Sequence, residues 1–119
     1  MTIIVYGDPV AKPRMTQRDK WKIRPCVAEY RAWCDSTRLQ LKRTTKLTLK
    51  QPTALYIRAY FGSPKGPPRV GPHCQKPDFD NLLKAAADAL FLNDEMIWYG
   101  RVEKYWANAG RPRVEIEWW

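Results

Sequence analysis

The chain has 119 residues, 45% of them apolar, and carries 21 Lys and Arg against 12 Asp and Glu, a net charge of +9. That length holds one domain, residues 1–119, with no room for a second core, and the apolar share excludes disorder as the default. The basic excess suits a polyanionic partner, nucleic acid being the commonest, although a merely solvated charged face gives the same count. Six Trp and six Tyr are many for this length. They supply a core and leave rings for a subunit interface, so a homodimer is expected. No apolar run approaches the ~20 residues that span a bilayer. MTIIVYGDPV lacks the basic and apolar regions of a secretory signal. The expected setting is therefore cytoplasmic, away from membranes. Cys26, Cys34 and Cys74 show no CxxC spacing, which argues against a disulfide framework or a structural zinc site. His73 beside Cys74 is the one tempting pair, but adjacent side chains in an extended loop diverge and no second pair completes four ligands.

In chain order, residues 2–6 (TIIVY) read as a short strand ended by Gly7 and Pro9. Residues 8–25 then hold Lys12, Arg14, Arg18, Lys20, Lys22 and Arg24 among three prolines. A basic irregular segment this long inside a small domain is usually functional. From Val27 to about Arg43 the pattern turns helical: Val27, Tyr30, Cys34 and Leu41 fall near one stripe, with Arg31, Asp35, Arg38 and Lys42 away from it. Residues 53–61 alternate, with Leu55, Ile57, Ala59 and Phe61 on one side and Tyr56, Arg58 and Tyr60 on the other, which predicts a strand. Residues 62–77 contain five prolines and three glycines and read as a mobile loop carrying Lys65, Arg69, His73 and Lys76. A second helix is predicted over 80–91, capped by Asp78 or Asp80. Strands at about 95–106 and 112–118 follow, joined as a hairpin by Asn108, Ala109 and Gly110. The order strand, helix, strand, helix, strand, strand is that of an α+β domain.

The chemistry concentrates in residues 76–94, KPDFDNLLKAAADALFLND. Asp78 and Asp80 stand two apart where an extended segment enters a helix, so both carboxylates can point to one side. Hard divalent cations want oxygen ligands, and Mg²⁺ is commonly held by one or two carboxylates plus substrate phosphate and water. Asp94 follows the helix. It can join the pair only if the chain folds back beside the helix start, because about eleven helical residues span roughly 16 Å. Asp80, Lys84 and Asp88 form a polar stripe at spacings of four. The bland account is an amphipathic helix with one ordinary ion pair. The sharper one puts the Lys84 ammonium beside phosphate at a metal site, an arrangement that suits phosphodiester hydrolysis.

The string DFDNLLKAAADAL followed by LND resembles the signature of the RusA family of Holliday junction resolvases. Asp78, Asp80, Asn81, Leu82, Lys84, Asp88, Ala89 and Leu90 match the family's D-x-D-N-L-x-K-x-x-x-D-A-L as they stand. GDPVAKPR at residues 7–14 is similar to the G-x-P-x-x-K-x-R opening of many members. The resemblance implies a small mixed sheet with two main helices, in a homodimer that binds four-way DNA junctions. It also implies dependence on Mg²⁺ or Mn²⁺, no organic cofactor, and paired symmetric cuts. Carried over, the metal-binding acids are Asp78, Asp80 and Asp94, and Lys84 is the essential lysine. Asn81 joins Lys12, Arg14, Lys65, Arg69 and Lys76 as a DNA-facing residue. Where some members have Asp-Asp at that last site, this chain has Asn93–Asp94, the second position matching the catalytic acid, which makes the site less negative. Asp88 matches too, but two turns into the helix it suits a structural role, fixing Lys84.

Two other readings stay open at this level. A non-catalytic basic DNA-binding module explains the charge but leaves the three acids without a purpose. A metal nuclease acting on linear or flapped DNA has the same residues. A Ser/His/Asp triad is unsupported, since His73 is the one histidine, and no Gly-rich phosphate loop is present.

Overall fold

The computed structural model describes residues 1–14 and 24–119. Arg18, Lys20 and Lys22 of the basic segment lie outside the described residues. Four strands, β1 (Thr2–Tyr6), β2 (Thr53–Phe61), β3 (Ile97–Trp106) and β4 (Arg113–Trp118), form one mixed sheet in the order β1-β4-β2-β3. β4 runs antiparallel to both β1 and β2, and β3 runs parallel to β2. The helices α1 (Pro25–Leu39) and α2 (Phe79–Leu90) pack on one face of the sheet. The fold is the expected small α+β domain.

Strand alternation sets the core. Ile3 and Val5 of β1, Leu55 and Ile57 of β2, and Val114, Ile116 and Trp118 of β4 turn inward at every second position. They meet Tyr30, Trp33 and Cys34 of α1 and Ala85, Ala86, Ala89 and Leu90 of α2. Leu55 and Ile57 lose all contact with solvent, a burial worth roughly 1.5–3 kcal/mol for each side chain. The alanines let α2 lie close to the sheet. At Gly100 an added Cβ would stand 2.9 Å from Leu83 Cδ2. A larger residue there would have to displace the end of the Leu83 side chain, which packs between α2 and β3.

The outer face of the sheet carries Tyr56, Arg58 and Tyr60 of β2, Arg101, Glu103 and Tyr105 of β3, and Arg113 and Glu115 of β4. Its polar groups satisfy one another. Glu103 accepts hydrogen bonds from Tyr56 and Tyr105 at 2.5 and 2.7 Å, and the Arg113 guanidinium lies 3.9 Å from the centre of the Tyr60 ring.

Three expectations need correction. The predicted hairpin does not form, because β2 lies between β3 and β4. The turn itself is real: Gly110 donates to the Ala107 carbonyl at 2.8 Å and Asn108 takes a φ of 55°. A two-residue loop would force the strands to pair, but the longer link over residues 107–112 can cross two strand spacings, roughly 10 Å. α1 starts at Pro25 and stops at Leu39 rather than running to Arg43. There Gln40, Leu41 and Lys42 donate back three residues, tightening the end, and Lys42 turns the chain at a φ of 55°. Finally, the far end of the proline-rich loop is tied down. His73 donates to Lys104 O at 3.0 Å and Trp106 donates to Gly71 O at 2.9 Å, so the segment runs along the edge of β3.

Candidate active site

α2 begins where the edge-bound segment leaves β3. Asp78 is its N-cap and Asp80 lies in the first turn. The Asp78 side chain makes no capping hydrogen bond, so its oxygens stay available. Both carboxylates are exposed and open into one shallow cleft with Cys74, Gln75, Lys76, Phe79 and Lys104. Lys84, one turn into the helix, stands 3.6 Å from Asp80 and is itself exposed.

On the other side of this helical turn, Lys84 lines a groove with Lys12, Pro13, Arg14 and Asn81. The amino-terminal segment is brought there by the Lys12 amide, which donates to Asn81 O at 3.5 Å, a long bond. Arg14 is fixed by its carbonyl, which accepts from the Arg24 guanidinium at 2.6 Å. Of the residues expected to face DNA, Lys12, Arg14 and Asn81 thus share this groove, and Lys76 borders the acid cleft. Lys65 is exposed on the proline-rich loop. Arg69 lies with its guanidinium 4.9 Å from the Trp106 ring centre. Neither lines the groove or the cleft.

Asp94 is not brought to the pair. It opens a single 3₁₀ turn, Asp94–Met96, after the far end of α2, and a helix of 12 residues is about 18 Å long. Among the described residues no three acids, histidines or cysteines gather closely enough to hold a metal ion. The preceding Asn93 is structural. Its amide accepts from the Leu49 N–H and donates to the Leu49 carbonyl, both at 2.7 Å. A carboxylate at 93 lacks the donor this reciprocal pair needs.

Asp88 also departs from expectation, since it does not fix Lys84. It accepts from the Tyr30 hydroxyl at 2.5 Å and faces the Lys12 and Lys46 ammoniums at 3.8 and 3.6 Å. Partial burial alone would raise its carboxyl, but the Tyr30 bond and the two lysines outweigh that and hold it below the usual range. Burial, followed by the bond to Asp88, raises the Tyr30 hydroxyl far above an ordinary tyrosine. His73 is a core residue. Its ring stacks on Phe61 at 3.8 Å between centroids, and burial, then the charge of Lys104, lowers its pKa. Cys74 is exposed beside it.

The sequence profile of endodeoxyribonuclease RusA matches residues 7–117. The chain belongs to the RusA family. No curated protein matches it. As a RusA-family domain the chain is an endodeoxyribonuclease, of the family that resolves Holliday junctions. No helix among the described residues is long and apolar enough to cross a membrane.

A divalent ion of the kind a RusA nuclease implies fits the α2 entrance. Two exposed carboxylates in one cleft match the usual protein share of a Mg²⁺ shell, the remainder being water and phosphate. Sequence reasoning missed one residue of this RusA cleft, Lys104. Its ammonium donates to Gln75 O at 2.5 Å and Pro77 O at 2.6 Å. The signal was there in the parity of β3: Val102, Lys104 and Trp106 share the inward side, and a lysine on an inward position needs partners. The Tyr30–Asp88 bond was also missed, and joins residues 58 apart in the chain.

Proposed function

We propose that this RusA-family chain resolves four-way DNA junctions as a homodimer, by Mg²⁺- or Mn²⁺-dependent hydrolysis at Asp78 and Asp80. The observation that carries the reading is that pair: two exposed carboxylates side by side, neither engaged in capping, in a chain of net charge +9. Exposed acids whose one charged partner among the described residues is Lys84, paired with Asp80 at 3.6 Å, are best explained in a basic DNA-cutting domain by an ion they hold. When bound, the ion supplies Lewis acidity to a phosphoryl oxygen and lowers the pKa of a water. Lys84 binds the scissile phosphate and offsets the negative charge that grows on it in the transition state. Lys12, Arg14 and Asn81 follow the backbone of the bound strand, Lys76 meets it at the cleft, and Lys65 and Arg69 extend the basic surface outward. Contacts of this kind position DNA without reading its sequence.

The homodimer rests on the start of β3. Leu92, Trp98 and Tyr99 leave apolar surface exposed on either side of Asp94 in the chain, Trp98 at 71%. β3 is also an edge strand, and the 71–73 segment covers only the far part of its outer edge; an open edge beside apolar surface invites a partner. Docking of two copies over this region gives each Asp94 a route to the other chain's acid pair, which a helix length denies it within one chain. Paired symmetric cuts then follow from two equivalent sites.

Cleavage of four-way, flapped and linear duplexes, with and without Mg²⁺, tests the function. Paired incision of the four-way substrate only with the ion is expected; equal cutting of linear duplex would remove junction selectivity. Mixing Asp78→Asn with Asp94→Asn protein tests the dimer. If sites are shared, mixed dimers regain one working site and nick the junction, whereas sites built within one chain leave each mutant subunit dead.

A further inference from the structure

Lys104 is the one charged side chain on the inward face of β3, opposite Ala59 of β2, which is fully buried. Its ammonium reaches over to the segment that leads into α2 and donates to the carbonyls of Gln75 and Pro77, at 2.5 and 2.6 Å. Its own carbonyl accepts from the His73 amide at 3.0 Å. One residue thus ties positions 73, 75 and 77 to β3, and Asp78 is the next residue in the chain. The same side chain borders the cleft into which Asp78 and Asp80 open. Residues 75–78 have no regular secondary structure of their own, so this clamp adds to the packing of α2 on the sheet in fixing where the Asp78 end of the helix sits.

We propose that Lys104 is a positioning residue for the Asp78–Asp80 pair, holding the Gln75–Pro77 backbone so that both carboxylates meet one divalent ion. This rests on the reading of that pair as a metal site. A clamp and a mere neighbouring charge have opposite signs. Removing a nearby cation relieves repulsion and tightens metal binding, whereas releasing the backbone loosens it. Loss of groups that orient metal ligands typically costs about 10–100-fold in affinity or activity.

The experiment uses the full chain and Mn²⁺, read from the paramagnetic resonance of the free ion in the absence of DNA. Lys104→Met keeps the aliphatic stem and removes the ammonium. It is expected to weaken Mn²⁺ binding about tenfold or more and to move the Mg²⁺ dependence of junction cleavage to higher concentration, with little change in the cutting rate at saturation. Lys104→Gln, which keeps an N–H donor without the charge, is expected between wild type and Lys104→Met, and carries the comparison by itself if the Met variant does not fold. Binding as tight as wild type, or tighter, in the folded variant overturns the clamp. Asp78→Asn and Asp80→Asn are measured alongside. If they bind Mn²⁺ normally, the metal site fails; if they lose the ion while Lys104→Met keeps it, only the clamp fails.

Discussion

α2 carries three aspartates that meet opposite fates. Asp78 and Asp80, at its start, are exposed, and the Asp78 carboxylate is left out of the helix cap. Asp88, two turns further, is half-buried against α1 and holds Tyr30, Lys12 and Lys46. The helix presents both sets at similar spacing, so the distinction comes from what faces them. Where α1 and the amino-terminal segment pack on α2, the carboxylate is satisfied by the protein. Where α2 turns a side towards the open cleft instead, the carboxylate is left for something else. An acid with three protein partners stabilises the fold, and an acid with one distant lysine is poised to bind.

The largest effect that separates these regions is expected at the start of the helix. Asp78→Asn and Asp80→Asn should each slow junction cutting by more than about 10²-fold, while junction binding holds or tightens because negative charge leaves the phosphate's side. Melting temperatures should be unchanged. Near-native cutting by either variant would erase the contrast. Lys84→Ala should lower the single-turnover rate by about 10²-fold, the scale of one electrostatic stabiliser, with little loss of stability since an exposed helical pair is worth a few tenths of a kcal/mol. Full rescue by saturating Mg²⁺ would reduce Lys84 to a counter-charge for Asp80.

Asp88→Asn should show the reverse pattern: cutting nearly intact, and stability lowered by about 1 kcal/mol, the scale of a charge-assisted hydrogen bond screened by nearby solvent. Because the folded-state pKa of Asp88 is depressed, its contribution is present above the unfolded carboxyl pKa and disappears as pH falls through the folded value. Urea melts of the wild type and Asp88→Asn should therefore differ at pH 7 and converge in acid, below about pH 4. A difference that persists at low pH would mean that packing, not charge, holds Tyr30 and Asp88 together.

The parts of the fold legible in the sequence were those with a local period. β2 is read from its alternation, and α2 from its apolar stripe and the acids at its start, to within one residue at each end. What escaped depends on contacts between distant segments. The Asn108–Gly110 turn is correctly a turn, but its residues carry no information about which strand lies beside the next, and β2 takes that place. The gap between Asp94 and the Asp78–Asp80 pair has the same origin, since local sequence shows three acids and only the direction of α2 shows how far apart its ends are. Lys104 acts on residues 27 and 29 positions away. Only its inward parity on β3 betrays it, and a loop rich in proline hides the carbonyls it holds.

The sheet order has a consequence for how the domain assembles. β1 has a single strand neighbour, β4, which lies more than a hundred residues later and is also the bridge to β2. Until β4 inserts, Ile3 and Val5 have no sheet to join, and β2 and β3 form a separate half. Completing the sheet therefore requires β4 to pair on both of its sides. Such long-range closure is slow compared with helix formation, and it leaves the edges of both halves open to other chains while they wait. Productive folding of this domain should thus depend on concentration more than its small size suggests.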